Sequence, residues 1–171
     1  STITRFNPLP DIVSYFGNLG VKFLHFERMA VAGRARSFQA LSPKEYIKGF
    51  SRALEIAAKK KIYLVNSPLM NLFYPTDFFC TQLASEKYII LPNGKINLCY
   101  LQESIFEVGE VNRGRFIFDK PKKEKLHTLA VPLQCKNCTF RYFCNGGCPA
   151  ENLRSTGSFQ KVDKSQCTVN K

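Results

Sequence analysis

Apolar positions along the chain change period several times, and each change marks an element. Ile12, Phe16 and Leu19 recur at helical spacing after Asn7-Pro8, and Gly20 stands where a helix closes on a left-handed residue. Ser1 to Phe6, ahead of that helix, reads as the end of a strand. Val21 to Phe26 (VKFLHF) has the apolar character of a strand buried on both faces, as parallel strands are. A loop from Ala30 to Ala40 follows, and then the start of a second helix. Ser42 caps it, Pro43 takes the first position and Glu45 completes a capping box. Ile47, Phe50, Leu54 and Ala57 or Ala58 form its apolar stripe, and Lys59, Lys60 and Lys61 suit the negative end of its dipole. Ile62 to Val65 is a further short strand. Strand and helix thus alternate over residues 1–66, the pattern of β/α units in a parallel sheet.

The period then shifts to two. Asn66 to Asp77 is loop-like, broken by Pro68 and Pro75. Tyr88 to Leu91 and Lys95 to Tyr100 flank Asn93-Gly94, a strong hairpin signal. Alternation puts Ile96, Leu98 and Tyr100 on one face and Asn97 and Cys99 on the other. Phe106 to Val111 predicts an edge strand, Arg115 to Phe118 a short extension, Lys122 to Ala130 a helical stretch, and Ala150 to Ser155 a short helix ended by Gly157. Residues 67–171 therefore read as a small, loop-rich α+β domain with a β-hairpin, following an α/β segment.

Composition narrows the function more than the fold. At 171 residues the chain suits one ordinary domain or two small ones, and 44% hydrophobic content with 15 Phe and no Trp supplies a core. No apolar run approaches a membrane span. The formal charge of +12 counts seven cysteines as neutral, and thiolates bound to metal would remove much of it. Lys120 to Lys125 reads as a solvated segment without interleaved aromatics, so neither nucleic acid nor membrane is an expected partner.

The cysteines carry the chemistry. Cys135, Cys138, Cys144 and Cys148 lie within CKNCTFRYFCNGGCP at spacings x2, x5 and x3, and Pro149 follows the fourth. Cys80, Cys99 and Cys167 lie outside it. Thiolates this dense point to metal coordination, since the thiolate is the binding form and a metal stabilises it at neutral pH. The ending Cys144-x3-Cys148-Pro149 is similar to a bacterial ferredoxin run, whose last cysteine serves the neighbouring cluster. On that precedent Cys135, Cys138, Cys144 and one outside cysteine make a closed set of four, and Cys148 joins the other two. A single zinc ribbon would strand three of the seven, although zinc is a plausible substitute metal. A disulfide framework favours an even count and an oxidising compartment; the count here is odd, and no secretory leader is expected.

Written out, Cys80-x13-Gly94-x4-Cys99, a gap, Cys135-x2-Cys138-x5-Cys144-x3-Cys148, a gap, and Cys167 resemble the SPASM domain found at the C-terminal end of many radical S-adenosylmethionine enzymes. The resemblance takes in all seven cysteines and the hairpin glycine. It implies two auxiliary 4Fe–4S clusters, the first held by Cys80, Cys99 and Cys148 and the second by Cys135, Cys138, Cys144 and Cys167. The preceding FERMAVAGRAR and SPKEY resemble the sixth strand, loop and helix of the family's partial barrel. That likeness would put Gly33, Arg34 and Ala35 near the S-adenosylmethionine pocket, although a tight loop needing Gly33 for its backbone explains the same residues.

Departures from the family pattern refine the expectation. The catalytic Cys-x3-Cys-x2-Cys run is absent, since Cys148 is followed by Pro149, Ala150 and Glu151. The chain is therefore expected to be the C-terminal part of a larger enzyme, or one partner of a natural split pair, completed by the missing barrel half. An open sheet edge at Thr2 to Arg5 would then invite dimerisation. Sulfatase-maturing relatives carry an extra cysteine soon after the first and an aspartate after the second; here Glu86 and Tyr100 stand there. The fourth ligand of the three-cysteine cluster is left open, with Glu86, another carboxylate or water as occupants. The expected activity is cytoplasmic modification of a peptide or protein side chain other than sulfatase maturation. A non-catalytic iron–sulfur or zinc module for electron delivery or protein interaction is the alternative. His25 and His127 stand alone and read as a strand residue and a surface residue.

Overall fold

A computed structural model describes residues 9–30, 32–38, 41–66, 69, 74–80, 83, 87–101, 104–129 and 131–170, apart from the side chain of Arg36. The predicted strand over 1–6, the helix opening at Asn7-Pro8, the proposed edge at Thr2 to Arg5 and Glu86 lie outside those residues. The architecture is mixed, with helices and two separate sheets. One compact unit takes in the described residues up to Pro75 together with 164–170, and a second spans Thr76–Asp163. The boundary read from the sequence stands at residue 66, and the tail groups with the first unit rather than the second.

In the first unit, α1 (Leu9–Asn18) and α2 (Pro43–Lys60) pack on each other beside a two-stranded parallel sheet of β1 (Phe23–His25) and β2 (Tyr63–Val65). The end of α1 is a Schellman motif. The Val21 amide donates to Phe16 O and the Gly20 amide to Gly17 O, with Gly20 at φ 81°. The start of α2 matches the sequence reading atom for atom. Glu45 N donates to Ser42 Oγ at 3.3 Å, and Ser42 N donates to Glu45 Oε2 at 2.9 Å.

Two details differ from the pattern. The buried face of α2 is Tyr46, Phe50, Ala53 and Ala57; Phe50 and Ala57 of the expected stripe are in it, while Tyr46 and Ala53 take the places of Ile47 and Leu54, which are exposed. Small Ala53 and Ala57 let α1 approach, where Val13 rather than Leu19 fills the core. The strands are also open on one face. Leu24 and Leu64 join the helical core, but their neighbours Phe23 and Tyr63 are 55% and 73% exposed, so the doubly buried strand expected over 21–26 is not found.

The second unit is built on an antiparallel sheet in the order β3 (Ile89–Ile90), β4 (Lys95–Asn97), β5 (Glu107–Asn112), β6 (Arg115–Phe118). Its β5 is therefore interior and β6 is the edge, the reverse of the sequence reading. The missed signal was the turn between them: Arg113 (φ 47°) and Gly114 (φ 75°) are both left-handed, as a two-residue hairpin turn requires. At the first hairpin only Gly94 is left-handed (φ 80°), and its amide closes a turn on Leu91 O. Gly109, in mid-strand, has no room for a Cβ, which would run into Ile117 O across the ladder.

Ile96, Leu98, Phe106, Val108 and Leu126 form the core on one face of this sheet. The register slips between Ile96 and Asn97, leaving Val108 as an extra residue on β5. As a result Ile96, Asn97 and Leu98 are all buried, and Tyr100 turns outward at 72% exposed instead of joining Ile96 and Leu98. Asp119 caps α3 (Lys120–His127), which begins two residues before its predicted start. Short α4 (Arg141–Cys144) and α5 (Pro149–Thr156) follow, and α6 (Lys164–Asn170) belongs to the first unit. No helix among the described residues is long and apolar enough to cross a membrane.

Candidate metal centre

All seven cysteines are partly buried. Cys80, Cys99 and Cys148, up to 68 residues apart in sequence, pack against the same apolar core of Ile96, Leu98, Phe106 and Leu126. Each is delivered by a polar device. The amide of Cys99 donates to Asn97 Oδ1 at 3.0 Å, so the buried asparagine ends β4 and turns the chain there. Cys148 is the N-cap residue of α5, with Pro149 at the first helical position. Cys80 follows a strap held by Asn145, whose Nδ2 lies 3.0 Å from Thr76 O, 3.2 Å from Thr76 Oγ1 and 3.1 Å from Phe78 O.

Cys135, Cys138 and Cys144 lie on one short loop. A 3-10 turn (Leu133–Cys135) carries the first, the Cys138 amide donates to Cys135 O at 3.1 Å, and α4 ends on the third. Asn145, Gly146 and Gly147 are then left-handed in succession (φ 47°, 81°, 75°), which reverses the chain between Cys144 and Cys148. A Cβ on Gly146 would meet the Pro132 ring at 2.6 Å, so glycine makes room for that ring, while Cys135 Sγ would stand at an ordinary contact distance of 3.6 Å. Asn152 holds the loop from behind, donating to Gly146 O at 2.8 Å and accepting from the Asp163 amide at 2.9 Å. Between Cys135 and Cys148 no apolar side chain is fully buried; turns and amides hold the loop. Cys167 sits on α6 in the first unit.

Among the described residues no three His, Cys, Asp or Glu side chains converge closely enough to hold an ion. The donors nevertheless fit a soft metal in kind. Thiolates suit zinc and iron–sulfur clusters, and the sulfurs stand in partly apolar surroundings. Burial pushes the Cys148 thiol up to about 12, with Glu151 and the nearby Cys80 adding to the rise and the first amides of α5 opposing it. A thiolate at that position needs a cation beside it.

Gly33, Arg34 and Ala35 form a tight 3-10 turn (Gly33–Ser37), with Gly33 at φ 52° and Ser37 Oγ donating to Arg34 O at 2.8 Å. The backbone requirement of Gly33 is visible there. His25 is exposed, its Nε2 2.8 Å from Glu27 Oε1. His127 is partly exposed, and its Nε2 is shielded from solvent. Asn145 and Asn152 were missed. The sequence Cys144-Asn145-Gly146-Gly147 signals a left-handed turn, whereas nothing about Asn152 on an amphipathic helix marks it as a bracket. No family model matches the chain, and no curated protein matches it.

Proposed function

We propose that the chain is the auxiliary iron–sulfur part of a radical S-adenosylmethionine enzyme that modifies a peptide or protein side chain in the cytoplasm. The single observation that carries this reading is the seven-cysteine spacing. Its support from the fold is that Cys80, Cys99 and Cys148, distant in sequence, pack on one core while Cys135, Cys138 and Cys144 share a loop. On this reading residues 1–66 belong to the end of a partial barrel, which the missing half would complete and where Gly33, Arg34 and Ala35 would border S-adenosylmethionine.

Cys80, Cys99 and Cys148 would hold one 4Fe–4S cluster, and Cys135, Cys138, Cys144 and Cys167 the other. Such clusters supply electron transfer, and one with an incomplete thiolate set also supplies a Lewis-acidic iron. The chain's own contribution is placement. Asn97, Asn145 and Asn152 fix the backbone around the thiols, and the core of Ile96, Leu98 and Phe106 keeps water from one side of three of them.

Anaerobic reconstitution tests the reading: two cubane clusters load about eight irons per chain. A yield near one zinc, without a cubane spectrum, overturns it in favour of a zinc module.

A further inference from the structure

We propose that the outer edge of β6 docks an extended acidic peptide, which adds to the sheet as a further strand. The inference rests on the sheet and not on the cluster reading. Among the described strands β6 has a neighbour, β5, on one side only. The direction of its backbone groups follows from the ladder. The Asp119 amide donates inward to Val108 O at 2.8 Å, and the pairs Glu110–Ile117 and Asn112–Arg115 continue that register at every second residue. In an antiparallel pair the intervening residues turn their N–H and C=O groups the other way. Val111 does so on β5, where its amide donates to Gly94 O on the β4 side at 2.7 Å. Its partner Phe116, and Phe118 two residues on, therefore aim their backbone groups away from the sheet.

The side chains along this edge specify the added strand. Phe116 is 60% exposed and Ile117 51%, on opposite faces, so apolar contact is available on both sides of the main chain. Residues 112–125 hold six Lys or Arg against Asp119 and Glu124. Arg113, Arg115 and Lys120 are exposed, and their side chains make no ion pair or hydrogen bond with the described residues. They flank the strand, the arginines at the turn and Lys120 at the start of α3. Charge of one sign opposes pairing with a second copy of the chain, because two β6 edges would bring their cations together. The same charge attracts an acidic segment, whose main chain supplies hydrogen bonds and whose alternate side chains meet Phe116 and Phe118.

The probe is the peptide EEVTVEE, blocked at both ends and titrated into the full chain at low salt, with affinity read by fluorescence anisotropy. Saturable one-to-one binding is the expected result. With peptide bound, the Phe116 and Phe118 amides should exchange with solvent at least about tenfold more slowly, while Ile117, already in the ladder, does not change. The peptide KKVTVKK should not bind, and N-methylation of both valines should abolish binding of EEVTVEE. Phe116→Pro should weaken binding about tenfold, since proline is tolerated at an edge and removes the outward donor. If Phe116→Pro does not fold, Arg115→Glu with Lys120→Glu should give a comparable loss. Absence of saturable binding overturns the inference. Binding that leaves Phe116 exchange unchanged also overturns it, as a non-specific basic surface. Self-association that protects the same amides without peptide overturns it in favour of a second copy.

Discussion

Asn145→Gly should separate the backbone role of this residue from its side-chain role. The substitution keeps the left-handed conformation, at φ 47°, and removes the amide that grips Thr76 and Phe78. The Nδ2 group has two hydrogens for its three acceptors, and a net intramolecular hydrogen bond contributes about 0.5–1.5 kcal/mol, so the grip contributes about 1–3 kcal/mol. Two corrections act in opposite directions. Removing the buried, unpartnered Oδ1 returns part of that loss, and the extra freedom of glycine costs about 0.5–1 kcal/mol.

The expected net loss is about 1–2 kcal/mol for Asn145→Gly. Asn145→Ala should lose about 1–2 kcal/mol more, because alanine is strained in the left-handed region. Urea unfolding of the metal-free chain gives the ranking. Alkylation of Cys80 gives the local effect: where strap opening limits the reaction, each 1.4 kcal/mol raises the rate about tenfold. Parental stability and an unchanged Cys80 rate in Asn145→Gly would refute the clamp. A glycine variant less stable than the alanine variant would refute the backbone argument.

Other expectations are independent of that clamp. Gly109→Ala should destabilise the second unit by about 1–3 kcal/mol, since the added methyl meets the Ile117 backbone; an unshifted urea midpoint would contradict this. Cys99→Ala should resemble Cys148→Ala in iron count and paramagnetic spectrum, and Cys144→Ala should resemble Cys167→Ala; pairing of Cys144 with Cys148 would show the ligand assignment to be wrong. In the metal-free chain the Cys148 thiol titrates at about 12 when folded and near 9.0 when unfolded, so the unfolded state releases the proton first. Its contribution to stability is intact below pH 9 and falls by at most about 1.4 kcal/mol per pH unit above it, a slope that Cys148→Ala should remove in urea titrations.

Local signals made much of the fold legible. Ser42-Pro43 with Glu45, Gly20 and Asn93-Gly94 each fix a backbone event within a few residues, and the structure has all three. Errors arose where a partner element decides. In α2, Tyr46 and Ala53 are buried in place of Ile47 and Leu54 because small Ala53 admits α1, which no pattern within α2 reveals. Tyr100 faces outward because β5 carries an extra Val108 opposite Asn97. The polar run LysSerGlnCysThrValAsn has no apolar stripe, so α6 left no periodic trace. At the candidate site the cysteines were conspicuous as a residue type. The asparagines that orient them depend on contacts up to 69 residues away.

The loop from Cys135 to Cys148 contributes no fully buried apolar side chain, and this bears on how a metal would enter. A segment held by turns and amides opens by breaking a few hydrogen bonds, and it uncovers little hydrocarbon in doing so. Urea accelerates an opening in proportion to the surface that the opening exposes. Metal uptake limited by this loop would then proceed at nearly the same rate across urea concentrations below the unfolding transition, while the sheet behind it stays folded. The scaffold and the gate would answer to different chemical stresses, denaturant for the one and competition for hydrogen bonds for the other.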